Sequence, residues 1–403
     1  MWEQGVDIHE VRELRVNSLV YLGVGAIHKI EEIAAQLKAR EIASVLVVSG
    51  RNAYKATGAW DIIRAALDKN GIKYVNYDRV SANPTVDQVD EAAAMGRAAL
   101  ATAVIAIGGG SPIDAGKSAA ILLKYPDRTA RDIYEYSFSP SEAVPIVAVN
   151  LTHGTGTEAD RFAVVTVPEK EFKPVVAYDC LYPTWSIDDP ALTVGLPPNQ
   201  TRYVSIDAVN HVVEAATSKG ASPYSIMLAK ETIRLVAAYL PAALADGKDL
   251  TARYFLHYAS LIAGVAFDNA LLHYTHALEH PLSAVKPDLT HGLGLAMLLP
   301  AVVKNIYPAE AAVLADILSP IVPGLSADVE DGSVAARGVE KWLCSVGADH
   351  KLADEGFGEK DIPRLVELTF TTPSLSLLLS MAPTLADRQA VEEIYRESLR
   401  PMR

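Results

Sequence analysis

Apolar residues in the first half of the chain come in short continuous runs. Residues 44–49 (SVLVVS), 73–77 (KYVNY), 103–107 (AVIAI) and 145–149 (PIVAV) are brief and rich in Val and Ile, as strands buried on both faces are. Between them, residues 53–69 and 86–100 place apolar side chains at helical spacing. Strands alternating with helices predict a parallel sheet covered on both sides. Residues 162–167 (FAVVTV) and 174–178 (PVVAY), separated by the turn-like PEKEFK, predict a hairpin at the end of this region.

Beyond Asp188-Asp189-Pro190 the period changes. From Pro197 onward apolar residues recur every three or four positions, through 208–216, 224–240 and 253–272, which predicts an almost wholly helical second half. The expected organisation is an α/β domain over 1–188 with a Rossmann-like parallel sheet, and an all-helical domain over 189–403. Residues 320–332 (PIVPGLSADVEDG) read as a surface loop between helices. A chain of 403 residues fits two or three domains.

Net charge is -13, without any block of Lys and Arg. That argues against a nucleic-acid or anionic-membrane surface, since both are bound through clustered positive charge. Cys180 and Cys344 are the chain's two cysteines, too few for a disulfide framework or a thiolate metal cluster. Residues 255–272 (FLHYASLIAGVAFDNALL) approach the roughly 20 apolar residues that span a bilayer. His257, Asp268 and Asn269 interrupt the run, so it reads as a buried core helix. The opening MWEQGVDIHEVRELR lacks the basic and apolar regions of a secretory signal, and the cytoplasm is the expected compartment.

Two segments suggest chemistry in the first half. AVIAIGGGSPIDAGK (103–117) is a strand, three glycines and then a helix. Glycines permit close backbone approach, and a helix N-terminus offers free N–H groups to phosphate. Asp114 is expected in the first helical turn, where a carboxylate suits the dipole. No Gly-Lys-Ser/Thr ends the loop as in a Walker motif, since Lys117 comes too late in the following helix, and the segment is not a strict G-x-G-x-x-G. THGTGTE (152–158) follows the next strand, and its hydroxyls suit either a nucleotide or an ST-type turn.

The second half is unusual in its imidazoles: of ten histidines, five lie between His257 and His291. Asp207 and His211 stand four apart on a predicted helix, so they share a face. His276 and His280 repeat that spacing, and His291 opens another helix. Asp207, His211, His276 and His291 together would offer three imidazoles and one carboxylate. That set suits iron(II) or zinc better than magnesium or calcium.

With these motifs in order, NPT (83–85), GGGSPIDAGK, LTHGTGTE, DDPALT (188–193), DAVNHVVEA and HALEHPLSAVKPDLTHG, the chain resembles the iron-containing (group III) alcohol dehydrogenases, which share a dehydroquinate synthase-like fold. The resemblance implies a nucleotide-binding domain, a helical domain and a metal between them. It implies Asp207, His211, His276 and His291 as metal ligands, and His280 as a neighbour that relays protons. Gly109, Gly110, Ser111 and Asp114 match the pyrophosphate-binding turn, while Thr152, Thr155 and Lys173 match further cofactor contacts. The expected activity is reversible hydride transfer between a small alcohol and a nicotinamide, with iron or, alternatively, zinc polarising the substrate oxygen. A zinc polyol dehydrogenase of the glycerol dehydrogenase type and a metal-dependent hydrolase are the rival readings. A homodimer or larger assembly is expected.

The chain departs from the family's pattern at Leu151, His153 and Phe162. The strand matching VLVVSG ends on Gly50 and Arg51, where NAD-preferring members carry an acidic residue. Without that carboxylate a 2'-phosphate is not repelled and Arg51 could pair with it. NADP is therefore favoured over NAD.

Overall fold

The computed structural model describes residues 2–5 and 13–402; residues 6–12, part of the segment read above for a signal, lie outside the described residues. The strands are β1 (Val20–Leu22), β2 (Ser44–Ser49), β3 (Lys73–Tyr77), β4 (Val104–Gly108), β5 (Ile146–Asn150), β6 (Phe162–Val164), β7 (Val175–Ala177) and β8 (Trp185–Asp188). Helices of the first half are α1 (Ile30–Ala39), α2 (Ala53–Ala56), α3 (Ala59–Lys69), α4 (Val86–Ala98), α5 (Gly110–Lys124) and α6 (Ala130–Tyr134). Those of the second half are α7 (Pro198–Thr217), α8 (Pro223–Ala245), α9 (Leu250–Ala270), α10 (Tyr274–Val285), α11 (His291–Ile317), α12 (Gly332–Ser345), α13 (Ile362–Thr371), α14 (Leu375–Ser380) and α15 (Arg388–Glu397). By packing, one compact unit comprises Val16–Leu196 with Gly247–Leu261, so the start of α9 belongs with the sheet. The other comprises Pro197–Asp246 and residues 262–402.

The sheet of the first unit is parallel throughout, in the order β1-β8-β5-β4-β2-β3. Alternate residues of its central strands enter two separate cores. Val45, Val47, Ile105, Ile107 and Val149 face Ile30, Leu37, Ile63 and Leu67 on one side. On the other side Leu46, Val48 and Val104 meet Ala92, Ala93, Ala119 and Ile121. Both faces are dry, which is why these strands read as unbroken apolar runs. The expected hairpin is present as β6 against antiparallel β7. The expected long helix over 53–69 is broken into α2 and α3 at Gly58, whose φ of 78° is costly for other residues.

Strand order reverses between β2 and β4, so the turns after these strands, Gly50–Arg51 and Gly109, emerge at the switch point where parallel sheets bind ligands. Helix α5 packs close to the sheet because a Cβ at Gly116 would lie only 2.6 Å from that of Ala106.

Lys117 on α5 is buried without exposed surface. Its Nζ donates to Thr157 Oγ1 (2.9 Å), Asp160 O (2.9 Å), Asp160 Oδ1 (3.0 Å) and Phe162 O (2.8 Å). One ammonium thus ties the helix behind the glycine turn to the segment 157–162. A buried charge is tolerable only when satisfied in this way.

In the helical unit α7 packs against α8 and α11, and α11 also packs against α10 and α12. Helix α11 is long and apolar enough to cross a bilayer, yet 78% of its most apolar window is buried inside the protein. Its apolarity is that of a central core helix. The region of 255–272 is likewise built into the core, with Leu256, Ala259, Ala263, Ala266 and Phe267 all buried.

Replacing Lys117 by Met should leave the Asp160 carboxylate buried without its cation and cost about 3–5 kcal/mol. Urea unfolding checks this, and a loss under about 1 kcal/mol would show that the lysine is dispensable.

Candidate metal centre

Three imidazoles of the helical unit point one nitrogen each at a single carboxylate oxygen. From Asp207 Oδ1, His276 Nε2 is 3.5 Å away, His211 Nε2 3.6 Å and His291 Nε2 3.9 Å. Asp207 and His211 lie one turn apart on α7, His276 in the first turn of α10, and His291 at the first residue of α11. Ligand atoms of Asp207, His276 and His291 all fall within 4.8 Å of one another. His211 stands outside that tighter group, its ring stacked on His276 (centroids 4.5 Å apart) and on Phe267 (4.5 Å).

What aims two of these nitrogens is a pair of carboxylates behind them. His276 Nδ1 bonds Glu214 Oε2, and His291 Nδ1 bonds Glu279 Oε2. Both glutamates are wholly buried. A carboxylate on Nδ1 places the imidazole proton there and leaves the Nε2 lone pair facing Asp207, the usual support of metal-ligating histidines. Glu214 does a second job: its Oε1 accepts from the backbone N–H of His273 (3.0 Å) and Thr275 (2.7 Å), so it also seats the N-terminus of α10. A carboxylate at a helix start is favoured by the dipole.

Close backbone approach makes the rest possible. A Cβ on Gly292 would collide with the carbonyl oxygen of Tyr203 on α7, and a Cβ on Gly294 would lie 2.8 Å from Glu279 Cγ. Two glycines after His291 therefore let α11 close on α7 and leave room for the side chain that orients His291.

The donors fit a cation. Asp207 Oδ1 and His276 Nε2 are buried and make no hydrogen bond. Bonds of about 2.1 Å at tetrahedral angles put ligand atoms ~3.4 Å apart, close to the spacings seen. Burial lowers the His276 pKa, but Glu214 and Asp207 outweigh it and raise it to about 9. The two carboxylates thus favour positive charge at this ring, a proton that a bound cation would displace from Nε2. Burial alone would raise the Asp207 carboxyl; the imidazoles of His211, His276 and His291 hold it well below its usual range instead. His211 is pushed down to about 4, by burial first, and so is neutral with a lone pair to offer.

The remaining histidines separate into other roles. His280, buried one turn after His276, sets its ring 5.9 Å from that of His291. His273 precedes α10 as its cap, Nδ1 accepting from Tyr274 N at 2.7 Å. His257 belongs to the sheet unit.

In that unit the glycine turn and the threonine segment fit into each other. A Cβ on Gly109 would lie 2.8 Å from Thr152 Cγ2, and one on Gly110 2.8 Å from Thr155 Cγ2. Ser111 follows in the first turn of α5, which begins at Gly110. Contrary to the expectation from the sequence, Asp114 lies not in that turn but in the second. Its carboxylate is taken up internally, accepting from Thr157 Oγ1 (2.8 Å) and Val164 N (3.0 Å). Burial raises it to about 6, against the lowering pull of Lys117. Lys173 is buried close enough to act on the same carboxyl. Gly50 is half-buried and Arg51 exposed at the end of β2.

Glu214, Glu279 and Lys117 were not singled out by the sequence reading. A signal existed for the glutamates, since a charge inside VVEAA or HALEH on a buried helix is costly unless paired. Replacing Glu214 or Glu279 by Gln should weaken divalent-metal binding by about 10- to 100-fold while leaving the ligands in place. Competition with a chromogenic chelator reads this directly, and native affinity in both variants would remove the carboxylates from the account.

Residues 17–190 match the iron-containing alcohol dehydrogenase family, and residues 201–399 match the C-terminal domain of the same family. The chain is 56% identical to a long-chain primary alcohol dehydrogenase of Thermoanaerobacter ethanolicus, covering 99% of this chain and 100% of that protein. It is 33% identical to a 1,3-propanediol dehydrogenase of Klebsiella pneumoniae, covering 95% and 97% respectively. Among solved structures, an NADH-dependent butanol dehydrogenase from Thermotoga maritima superposes with a TM-score of 0.87 at 29% identity, over 96% of this chain and 98% of that one. The chain belongs to the iron-containing alcohol dehydrogenase family.

Proposed function

We propose that this member of the family interconverts a primary alcohol and its aldehyde, using an iron(II) ion at Asp207, His211, His276 and His291 and NADP as hydride partner. Metal-dependent, nicotinamide-linked alcohol oxidation is the family's activity; the metal, the cofactor and the alcohol are the finer reading. The observation that carries it is the convergence of three Nε2 atoms on Asp207 Oδ1, two of them backed by buried carboxylates. The long-chain primary alcohol dehydrogenase related at 56% identity supports a primary alcohol.

The bound cation would supply Lewis-acid polarisation of the substrate oxygen, and the nicotinamide would accept or give the hydride. This chain's own residues supply position and proton traffic. Glu214 and Glu279 keep His276 and His291 in the tautomer that leaves Nε2 free to coordinate. His280, next to His291, is the group we assign to carrying the alcohol proton away and returning it in the reverse direction. Gly109, Gly110 and Ser111 present backbone N–H groups at a helix start, suited to the pyrophosphate. Thr152 and Thr155 pack against this turn, and Lys173 is buried close enough to act on the Asp114 carboxyl of α5. An iron-loaded enzyme and a zinc-loaded one would use the same nitrogen and oxygen donors.

Arg51 and the missing carboxylate beside Gly50 support NADP; the Thermotoga relative is described as NADH-dependent, so the preference would be this chain's own. The family resemblance supports a homodimer or larger assembly.

His276→Ala should abolish both metal retention and turnover of a primary alcohol; metal analysis alongside an NADPH-linked aldehyde assay measures both, and full activity in a metal-free variant contradicts the assignment. Arg51→Glu should shift the ratio of kcat/KM for NADP over NAD towards NAD by about tenfold or more, the loss of one charge-assisted pair. An unchanged ratio would mean that Arg51 does not read the 2'-phosphate.

A further inference from the structure

Between Thr152 and Thr155 the loop over the glycine turn carries His153, which has no exposed surface. Its Nε2 is 3.0 Å from Nη1 of Arg253, near the start of α9. Arg253 is itself fully buried, and its Nε donates to Gly247 O at 3.0 Å. One turn further along α9, His257 meets the His153 ring edge-on, with centroids 5.8 Å apart. Behind it, His257 Nδ1 lies 3.7 Å from Asp188 Oδ1 at the end of β8. Loop, helix and strand, all within the sheet unit, thus share one buried polar line.

Burying a guanidinium costs several kcal/mol unless its hydrogens are matched, so a fold that places one here requires an acceptor. Burial, with the charges of His257 and Arg253, holds the His153 pKa well below its usual value. The ring is therefore neutral and can accept from the arginine.

The loop is fixed at other points too. Asn150 Oδ1 accepts from Thr152 N at 3.0 Å, and Thr157 is held by Asp114 and Lys117. Its middle, where the two threonines press on Gly109 and Gly110, is joined to α9 through His153. We infer that His153 and Arg253 are positioning residues: their buried hydrogen bond sets Thr152 and Thr155 against the glycine turn and thereby tunes affinity for the nicotinamide dinucleotide. The inference rests on the reading that this turn binds the cofactor.

The test uses the full-length, metal-loaded enzyme and three variants, His153→Ala, His153→Gln and Arg253→Lys. Gln places an acceptor oxygen about where Nε2 stands. Dissociation constants of NADPH and NADH are read by fluorescence, and kcat and KM by steady-state assay. Hydrogen–deuterium exchange over residues 151–157 is followed without cofactor.

His153→Ala should weaken binding of the preferred cofactor about tenfold, in line with a buried bond to a charged group. Its kcat at saturating cofactor and its KM for alcohol should stay within about threefold of native, with faster exchange in the loop. His153→Gln should restore affinity to within about threefold and slow the exchange again. If His153→Ala does not fold, Arg253→Lys gives the same reading, with binding about fivefold weaker. Native affinity in His153→Ala or Arg253→Lys, or a loss that Gln does not repair, overturns the inference. Should the native enzyme bind neither dinucleotide, the functional reading fails, and the exchange data still decide whether the bond positions the loop: unchanged exchange in the variants overturns it.

Discussion

The bond between a buried glutamate and the far nitrogen of a histidine is what the centre depends on. Glu214 holds His276 and Glu279 holds His291, and each bond decides which nitrogen faces Asp207. Without that constraint an imidazole ring can flip or exchange its proton between nitrogens, and three rings near one carboxylate would form an ion-paired cluster rather than a binding site. Glu214 also accepts the first N–H groups of α10. The placement of the helix and the orientation of its ligand therefore follow from one carboxylate.

Backbone proximity is the second requirement, and glycine meets it in both units. Gly292 and Gly294 let α11 approach Tyr203 and Glu279 in the helical unit. In the sheet unit Gly109 and Gly110 admit Thr152 and Thr155, while Gly116 lowers α5 onto Ala106. Each site is shaped by where side chains were left out. The buried charge of Lys117 is matched by Thr157, Asp160 and Phe162.

Much of this was legible from sequence. Strand β2 coincides with its predicted run because residues packed on both faces of a parallel sheet are buried throughout; β3 coincides too, although it lies at a sheet edge with Lys73 exposed. Strand β1 escaped notice because Val20, Tyr21 and Leu22 are half-buried at a sheet edge and too few to make a pattern. Strand β8 was hidden in WSID, where a serine and an aspartate interrupt the apolar signal. The four candidate metal ligands were visible as spaced imidazoles and a carboxylate, but spacing could not separate them from His273, a helix cap, or His257, which packs in the sheet unit. Glu214 and Glu279 were passed over because a glutamate in a helix usually faces water, although their apolar neighbours in VVEAA and HALEH marked these two as buried. Asp114 was misplaced by a turn because the glycines make the start of α5 ambiguous, as helix ends often are.

The most direct test of the centre is a crystal of the iron(II)-loaded protein, with diffraction recorded on both sides of the iron absorption edge. The account predicts one strong anomalous peak within bonding distance of an Asp207 carboxylate oxygen and of Nε2 of His211, His276 and His291, with Nδ1 of His276 still on Glu214 and Nδ1 of His291 still on Glu279. A peak bound through Nδ1, or one located away from Asp207, would contradict it.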